Sequence, residues 1–272
     1  MKTLQGKVAV ITGAASGIGA ALSAALAQRG CRLALVDIQA ERLADTAKTA
    51  RGLGATVSTH VIDVSNRAAM ATLPEAVIEA HGAAHLIVNN AGVTVIEKMI
   101  DHSLEDWDWI LGINLYGVIY GCHFFLPRLL EAGEGHIVNI SSVFGIAGVP
   151  TQSSYCATKF AVRGLSESLW EELDGTGVSV TVVHPGGINT DIVVGSRTRN
   201  TSRQETLAGL FRTRGRSASA AADMIVRAVE RDQKRVLIGP EAYVIDGLRR
   251  LMPAWGNRLI TQGAIGWLVG RD

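Results

Sequence analysis

The chain reads as an α/β protein built on a doubly wound parallel β-sheet with helices on both faces, and three observations predict that class. Short β-branched apolar runs alternate with longer helical stretches from end to end. The first run leads directly into a glycine-rich turn that opens a helix. The composition, 47% hydrophobic and 19% charged over 272 residues, can bury a large core and excludes disordered, collagen-like and coiled-coil classes. The length fits a single domain over 1–240 followed by a C-terminal helical extension over 241–272.

The strands are justified first. Residues 7–12 (KVAVIT), 32–37 (RLALVD), 56–63, 85–89, 136–141 and 178–184 are apolar runs of buried-strand length, and 235–238 (RVLI) adds a last edge strand. Between them, 18–29, 40–52, 66–80, 104–131, 153–173 and 218–231 have helical length and few breakers, which gives right-handed βαβ crossovers. The segment 190–216 departs from this pattern: it is rich in Ser, Thr, Gly and Arg, lacks clean periodicity, and reads as a long mobile connection.

Lys and Arg number 26 against 25 Asp and Glu, so the net charge of +1 offers no field for a polyanion, and a nucleic-acid partner is not expected. Mean hydropathy is +0.22, yet the sequence is read as holding no stretch fit to span a membrane. After Met1, Lys2 and Thr3 the first apolar stretch, 8–11, runs into the glycine turn, which is not a secretion signal. Cys31, Cys122 and Cys156 form an odd set without CxxC spacing and read as reduced thiols of a cytoplasmic protein.

The turn is Thr12-Gly13-Ala14-Ala15-Ser16-Gly17-Ile18-Gly19, a setting in which glycines let a backbone approach a pyrophosphate and helix N-terminal amides hold its charge. Asp37 follows at the end of the second strand. A carboxylate there accepts both hydroxyls of an adenosine ribose and repels a 2′-phosphate, so NAD(H) is favoured over NADP(H), and the neighbouring Ile38 supplies no compensating cation. Capping the helix over 40–52 is a second reading of Asp37 that can hold at the same time.

Tyr155 and Lys159 stand four apart on one predicted helix, within reach of each other. An ammonium beside a phenol favours the phenolate and lowers its pKa. Asn89-Asn90-Ala91-Gly92, Asn114, Ser141-Ser142 and Pro185-Gly186 accompany this pair in order. Together with Thr12 to Gly19, Asp63, Ser142 thirteen residues before Tyr155, and the turn to Thr190, they make the sequence resemble the short-chain dehydrogenase/reductase family over about residues 5–240.

The resemblance implies a Rossmann-type NAD-binding and catalytic domain, and an oxidoreductase that interconverts a secondary alcohol and a ketone by hydride transfer. In it Tyr155 is the general acid/base and Ser142 holds the reacting oxygen. Lys159 binds the nicotinamide ribose, and Asn114 holds a water linking Lys159 to solvent. The dinucleotide would meet Thr12, Gly13, Ser16, Gly17, Ile18, Gly19, Asp37, Ile38, Asp63, Val64, Asn90, Ala91, Gly92, Tyr155, Lys159, Pro185, Gly186, Ile188 and Thr190. For Asp63, capping the helix over 66–80 is the alternative. An NAD-binding regulator or scaffold on the same fold, catalytically idle, is the alternative to an enzyme.

Substrate would meet Val93, Thr94, Ser142, Phe144, Val149 and Tyr155, and the resemblance draws its walls from Val93, Thr94, Val95, Val143, Phe144, Gly148, Val149 and Pro150, an apolar set that suits a hydrophobic alcohol or ketone. In 197–216 six arginines face only Glu205, either as a solvated loop closing over the site or as a grip on an anionic substrate tail. No metal is expected: His81 and His85 are four apart without a third ligand nearby. In the tail, Val244, Leu248, Leu251, Met252, Trp255 and Leu259 describe one apolar face that Pro253 breaks or kinks, for packing on a partner subunit, over the site, or on a membrane surface. The resemblance also implies a homodimer or homotetramer pairing the helices over 104–131 and 153–173.

Overall fold

The strands form where the sequence is apolar on both faces. In the computed structural model, which describes residues 1 and 3–264, seven strands make one parallel sheet. They are β1 (Val8–Thr12), β2 (Arg32–Asp37), β3 (Val57–Val61), β4 (Leu86–Asn89), β5 (Gly135–Ile140), β6 (Val178–Pro185) and β9 (Arg235–Ile238), in the order β3-β2-β1-β4-β5-β6-β9. The order reverses beside β1, and this opens a crevice at the carboxyl ends of β1 and β4. The two sides of each strand feed different cores: Leu33 and Leu35 of β2 pack in one cluster, Ala34 and Val36 in the other.

The first face is covered by α1 (Gly17–Gln28), α2 (Ala40–Gly52) and α8 (Ala218–Glu230), through Leu22, Leu26, Leu43, Ile225 and Val229. The second is covered by α3 (Arg67–His81), α5 (Gly117–Glu131) and α6 (Ser153–Glu172), through Met70, Val77, Phe125, Leu129 and Val162. Strand and helix bounds fall within a residue or two of the sequence expectation for most of these elements.

Three expectations need correction. The single helix expected over 104–131 is α4 (Leu104–Leu111), a π-helical turn over Gly112–Tyr116, and α5. This continuous run is also long and apolar enough to cross a membrane, contrary to the sequence reading, but Val118, Cys122, Phe125 and Leu129 bury it against the sheet as a core helix.

The second correction concerns 190–216, where the sequence predicts no regular structure. A helix, α7 (Thr201–Arg214), lies there, framed by the short parallel pair β7 (Ile188–Asn189) and β8 (Arg216–Ser217). Asn200 caps it by accepting from the Arg203 amide at 2.9 Å. Only Leu207 of α7 is buried, so little apolar stripe marks the helix in the sequence.

The third is the tail, which forms α9 (Pro240–Leu251) and α10 (Gly256–Leu259), with Pro253 between them; residues 265–272 lie outside the described residues, as does Lys2. The inward face carries Ala242, Ile245, Gly256 and Ile260 rather than the expected set, of which Val244, Leu251, Trp255 and Leu259 are exposed. Gly256 fixes the phase: a Cβ there would sit 2.6 Å from the Leu248 carbonyl.

Candidate active site

The crevice is built from the ends of β1 and β4 upward. Thr12 closes β1, and its hydroxyl donates to the Val88 carbonyl (3.3 Å) while accepting from the amides of Asn90 (3.0 Å) and Ala91 (3.1 Å). Asn90 returns the tie, donating Nδ2 to the carbonyls of Thr12 (2.9 Å) and Gly13 (3.1 Å). These bonds lock the glycine turn against the Asn89–Gly92 loop. Gly13 sits at φ +65°, and a Cβ on Gly19 would lie 2.0 Å from the Gly13 carbonyl, so the turn closes this tightly only with hydrogen at both positions. Ser16 precedes α1 with no side-chain cap, and Ser16, Gly17 and Ile18 line the cleft.

Asp37 is 8% exposed at the tip of β2. Oδ2 accepts from the Ala15 amide (2.9 Å) and Oδ1 from the Gln39 amide (3.0 Å), so the carboxylate ties the glycine turn to the start of α2. Two lone pairs remain for a ligand. The capping position itself is Gln39, so Asp37 braces the helix start without being its cap. Asp63 accepts from the Ser65 amide and hydroxyl (2.9 and 2.7 Å), while Asn66 caps α3, which removes the capping alternative for Asp63. Ile38, Asp63 and Val64 line the same cleft.

At the far end, Ser142 follows β5, and Tyr155 and Lys159 lie one turn apart on α6. The Lys159 ammonium is 3% exposed, donates to the Ile140 carbonyl (2.9 Å) and lies 5.6 Å from the Tyr155 ring centroid. Burial pulls its pKa down to about 8. Burial likewise pushes the Tyr155 phenol up to about 12, against the opposing pull of Ser142. The net shift of the Tyr155 phenol is thus upward, against the lowering expected from Lys159, because desolvation outweighs the pull of Ser142. Phe144 meets the Tyr155 ring edge-on at 6.1 Å.

Asn114 occupies the π turn, fully buried. Its Oδ1 accepts from the Val93 amide (2.8 Å) and its Nδ2 donates to the Val93 carbonyl (2.9 Å). The side chain expected to hold a water is thus committed to the loop beside Lys159; Gly92 lies against both groups. π turns recur at functional sites, and here one sets Asn114 against the loop that carries Val93.

One cleft of about 840 Å³ joins the two ends and is lined by nearly every expected residue, including Val93, Thr94, Phe144, Val149, Pro185, Gly186, Ile188 and Thr190; Thr12 lies behind it as a brace, and Gly19 packs under the turn. The sequence places 190–216 over the site as an irregular connection, and here that roof is built on α7. Ile192, Val193, Leu207 and Phe211 close over Ile96 in a separate apolar cluster. Leu207, Leu210 and Phe211, at i, i+3 and i+4, were the available signal.

Of the arginines, Arg197 pairs with Asp106 (2.9 Å) and stacks on Trp109 (3.9 Å), and Arg214 lines the cleft. His184 supports the site: buried beneath it, its Nδ1 donates to the Ser142 carbonyl at 3.0 Å, and burial lowers its pKa to about 4, so it stays neutral. His81 and His85 serve other partners, Ser58 and the Val8 amide. Cys156, beside Tyr155, packs inward with Val143 and Ile245.

Comparison with known proteins agrees with this geometry. The short chain dehydrogenase family profile matches residues 7–201. The SadH protein of Mycobacterium tuberculosis, which carries an oxidoreductase name, is 41% identical over 267 residues, 97% of each chain. A short-chain dehydrogenase/reductase from Burkholderia phymatum, solved in complex with NAD, is 33% identical with a TM-score of 0.88, covering 92% of this chain and 95% of that one. A metagenomic short-chain oxidoreductase in complex with NADP is 30% identical with a TM-score of 0.72, over 86% and 97%. With the fold, the cleft and these relatives in agreement, the chain belongs to the short-chain dehydrogenase/reductase family of oxidoreductases.

Proposed function

We propose that the protein is an NAD(H)-dependent oxidoreductase that interconverts an apolar secondary alcohol and its ketone, with Tyr155 as general acid/base. The observation that carries this reading is the convergence of a protonated Tyr155, Ser142 and a desolvated Lys159 in one cleft with the Asp37 carboxylate at its other end. The residues present fit a dinucleotide. The cradle at Gly13 and Gly19 has no room for side chains, the uncapped start of α1 offers amides to a pyrophosphate, and Asp37 keeps acceptor capacity for ribose hydroxyls while disfavouring a 2′-phosphate. A bound nicotinamide supplies or accepts the hydride.

The chain's own work is proton handling and positioning. In reduction Tyr155 gives its proton to the substrate oxygen and is left as a phenolate, which is stabilised by the Lys159 ammonium 5.6 Å from its ring centroid. Ser142 holds the same oxygen, and His184 fixes the backbone of Ser142 from behind. Asn114, through Val93, sets the loop that walls the substrate, and the water link from Lys159 to solvent belongs to this proposal. Val93, Phe144, Val149 and the α7 roof exclude water and favour an apolar substrate; an anionic tail would meet Arg214 at the rim.

Exposed Leu104, Tyr116, Leu130 and Phe160 along α4, the π turn, α5 and α6 support a homodimer or homotetramer paired through these helices. The three buried free thiols suit a reducing, cytoplasmic setting. The test is a nicotinamide absorbance assay with NAD and NADP against secondary alcohols, hydroxyacids, steroids and acyl-thioesters. The reading predicts turnover of an apolar alcohol or ketone with NAD preferred; tighter binding of NADP would remove the Asp37 argument.

A further inference from the structure

The two groups assigned to the reacting oxygen, Ser142 and Tyr155, are the two ends of one short loop. Between them run a 3₁₀ turn over Val143–Gly145, then Ile146 to Pro150, Thr151 at φ +67°, and the start of α6. The loop is held from behind by the tail of the chain, which lies beyond the region matched by the family profile. Asn257 of α10 accepts from the Gly148 amide with Oδ1 and donates to the Gly148 carbonyl with Nδ2, both at 3.1 Å. This reciprocal pair fixes the amide orientation unambiguously, because one partner can only donate and the other only accept. Arg249 of α9 donates Nε to the Ile146 carbonyl (3.2 Å) and an Nη1 proton to the Pro253 carbonyl. Ala242, Ile245 and Ile260 pack beneath Val143, Ile146 and Val149.

We propose that Asn257, seconded by Arg249, is a specificity-determining positioning residue: it pins the loop between Ser142 and Tyr155 and so sets the apolar wall of Phe144 and Val149 against which a bulky substituent of the substrate rests. The inference rests on the proposed alcohol/ketone reading for its substrate class. Its physical basis is independent of that reading. In this glycine-containing loop with a strained Thr151, Gly145, Ile146 and Ala147 donate back to Ser142 and Val143, Gln152 donates to the Val149 carbonyl and Glu97 to the Thr151 carbonyl, and the Gly148 amide, in the middle, bonds outside the loop to Asn257. Removing that partner frees the wall without touching the glycine turn, Asp37 or the Lys159 ammonium.

The experiment compares Asn257→Ala with Thr261→Val, which removes the hydroxyl's two bonds within the same tail segment, to the Asn257 and Arg258 carbonyls, but none to the loop. Three readouts are taken on the full chain: hydrogen exchange at 146–149, NADH affinity, and kcat/KM for butan-2-one and 4-phenylbutan-2-one. For Asn257→Ala the proposal expects the Gly148 amide to exchange about tenfold faster or more, with NADH affinity within about twofold. It expects kcat/KM for the phenyl ketone to fall about tenfold relative to butan-2-one, with Thr261→Val near the unmodified enzyme on all three. Unchanged exchange at Gly148, or an equal loss on both ketones, overturns it. If neither ketone reacts with the unmodified enzyme, the alcohol/ketone reading and the wall's substrate role both fail, and exchange alone then decides whether Asn257 holds the loop.

Discussion

Lys159 shows what burial does to a single residue in this site. An ammonium taken from water and given one carbonyl, that of Ile140, loses solvation that the single bond does not restore, and its pKa falls to about 8. In the proposed reduction it is charged below that value and stabilises the phenolate left when Tyr155 gives up a proton; above it the stabilisation is lost. For the reductive direction kcat/KM should therefore be flat below about pH 8 and fall as the pH rises through it, and Lys159→Met should abolish this limb along with most activity. An unchanged high-pH limb in Lys159→Met would assign it to another group. Asp37 carries a second residue-scale lesson: its charge and its place at the end of the second strand gave its proposed cofactor role in the sequence, but its bonds to the Ala15 and Gln39 amides were not readable, because they depend on how β1 and β2 end side by side.

Elements built by local pattern were legible, and those built by distant contacts were not. The period of apolar residues located the seven sheet strands and the flanking helices, since burial on both faces of a parallel sheet leaves a continuous apolar run. The π turn between α4 and α5 was not legible, because it is tied to Val93, twenty-one residues away, through Asn114. Nor was α7, whose fold-back is held by Gln204 bonding to the carbonyls of Val193, Val194 and Ser196.

The arginines were legible as charge but not as partners. Arg197 is a pin, paired with Asp106 and stacked on Trp109, and its backbone bonds to Thr94 and Ile96 dock the roof on the substrate loop. An exposed pair and a cation–π contact are together worth about 1–2 kcal/mol. Arg197→Ala should accordingly speed hydrogen exchange in 193–199 and raise KM several-fold with little change in kcat. A KM increase that grows steeply at low salt would instead mean that Arg197 attracts an anionic substrate.

At the scale of the molecule, the reversal of strand order beside β1 places the glycine turn, Asp37, Asn90, Ser142 and Tyr155 along one edge of the sheet, and motif order in the sequence was sufficient to find that edge. The helix in the roof and the inward face of the tail were not found, because each is fixed by packing against loops far away in the chain. Exposed Leu104, Tyr116, Leu130 and Phe160 predict that sedimentation at micromolar concentration will show a dimer or tetramer, and a monomer would contradict assembly through those helices.

The central claim is that this cleft moves a proton through Tyr155. The most direct measurement is kcat for Tyr155→Phe beside its NADH affinity, since the ring and its edge-on contact with Phe144 remain while the transferable proton is gone. The account predicts a fall in kcat of about 10²-fold or more with NADH affinity preserved; near-normal turnover would contradict it.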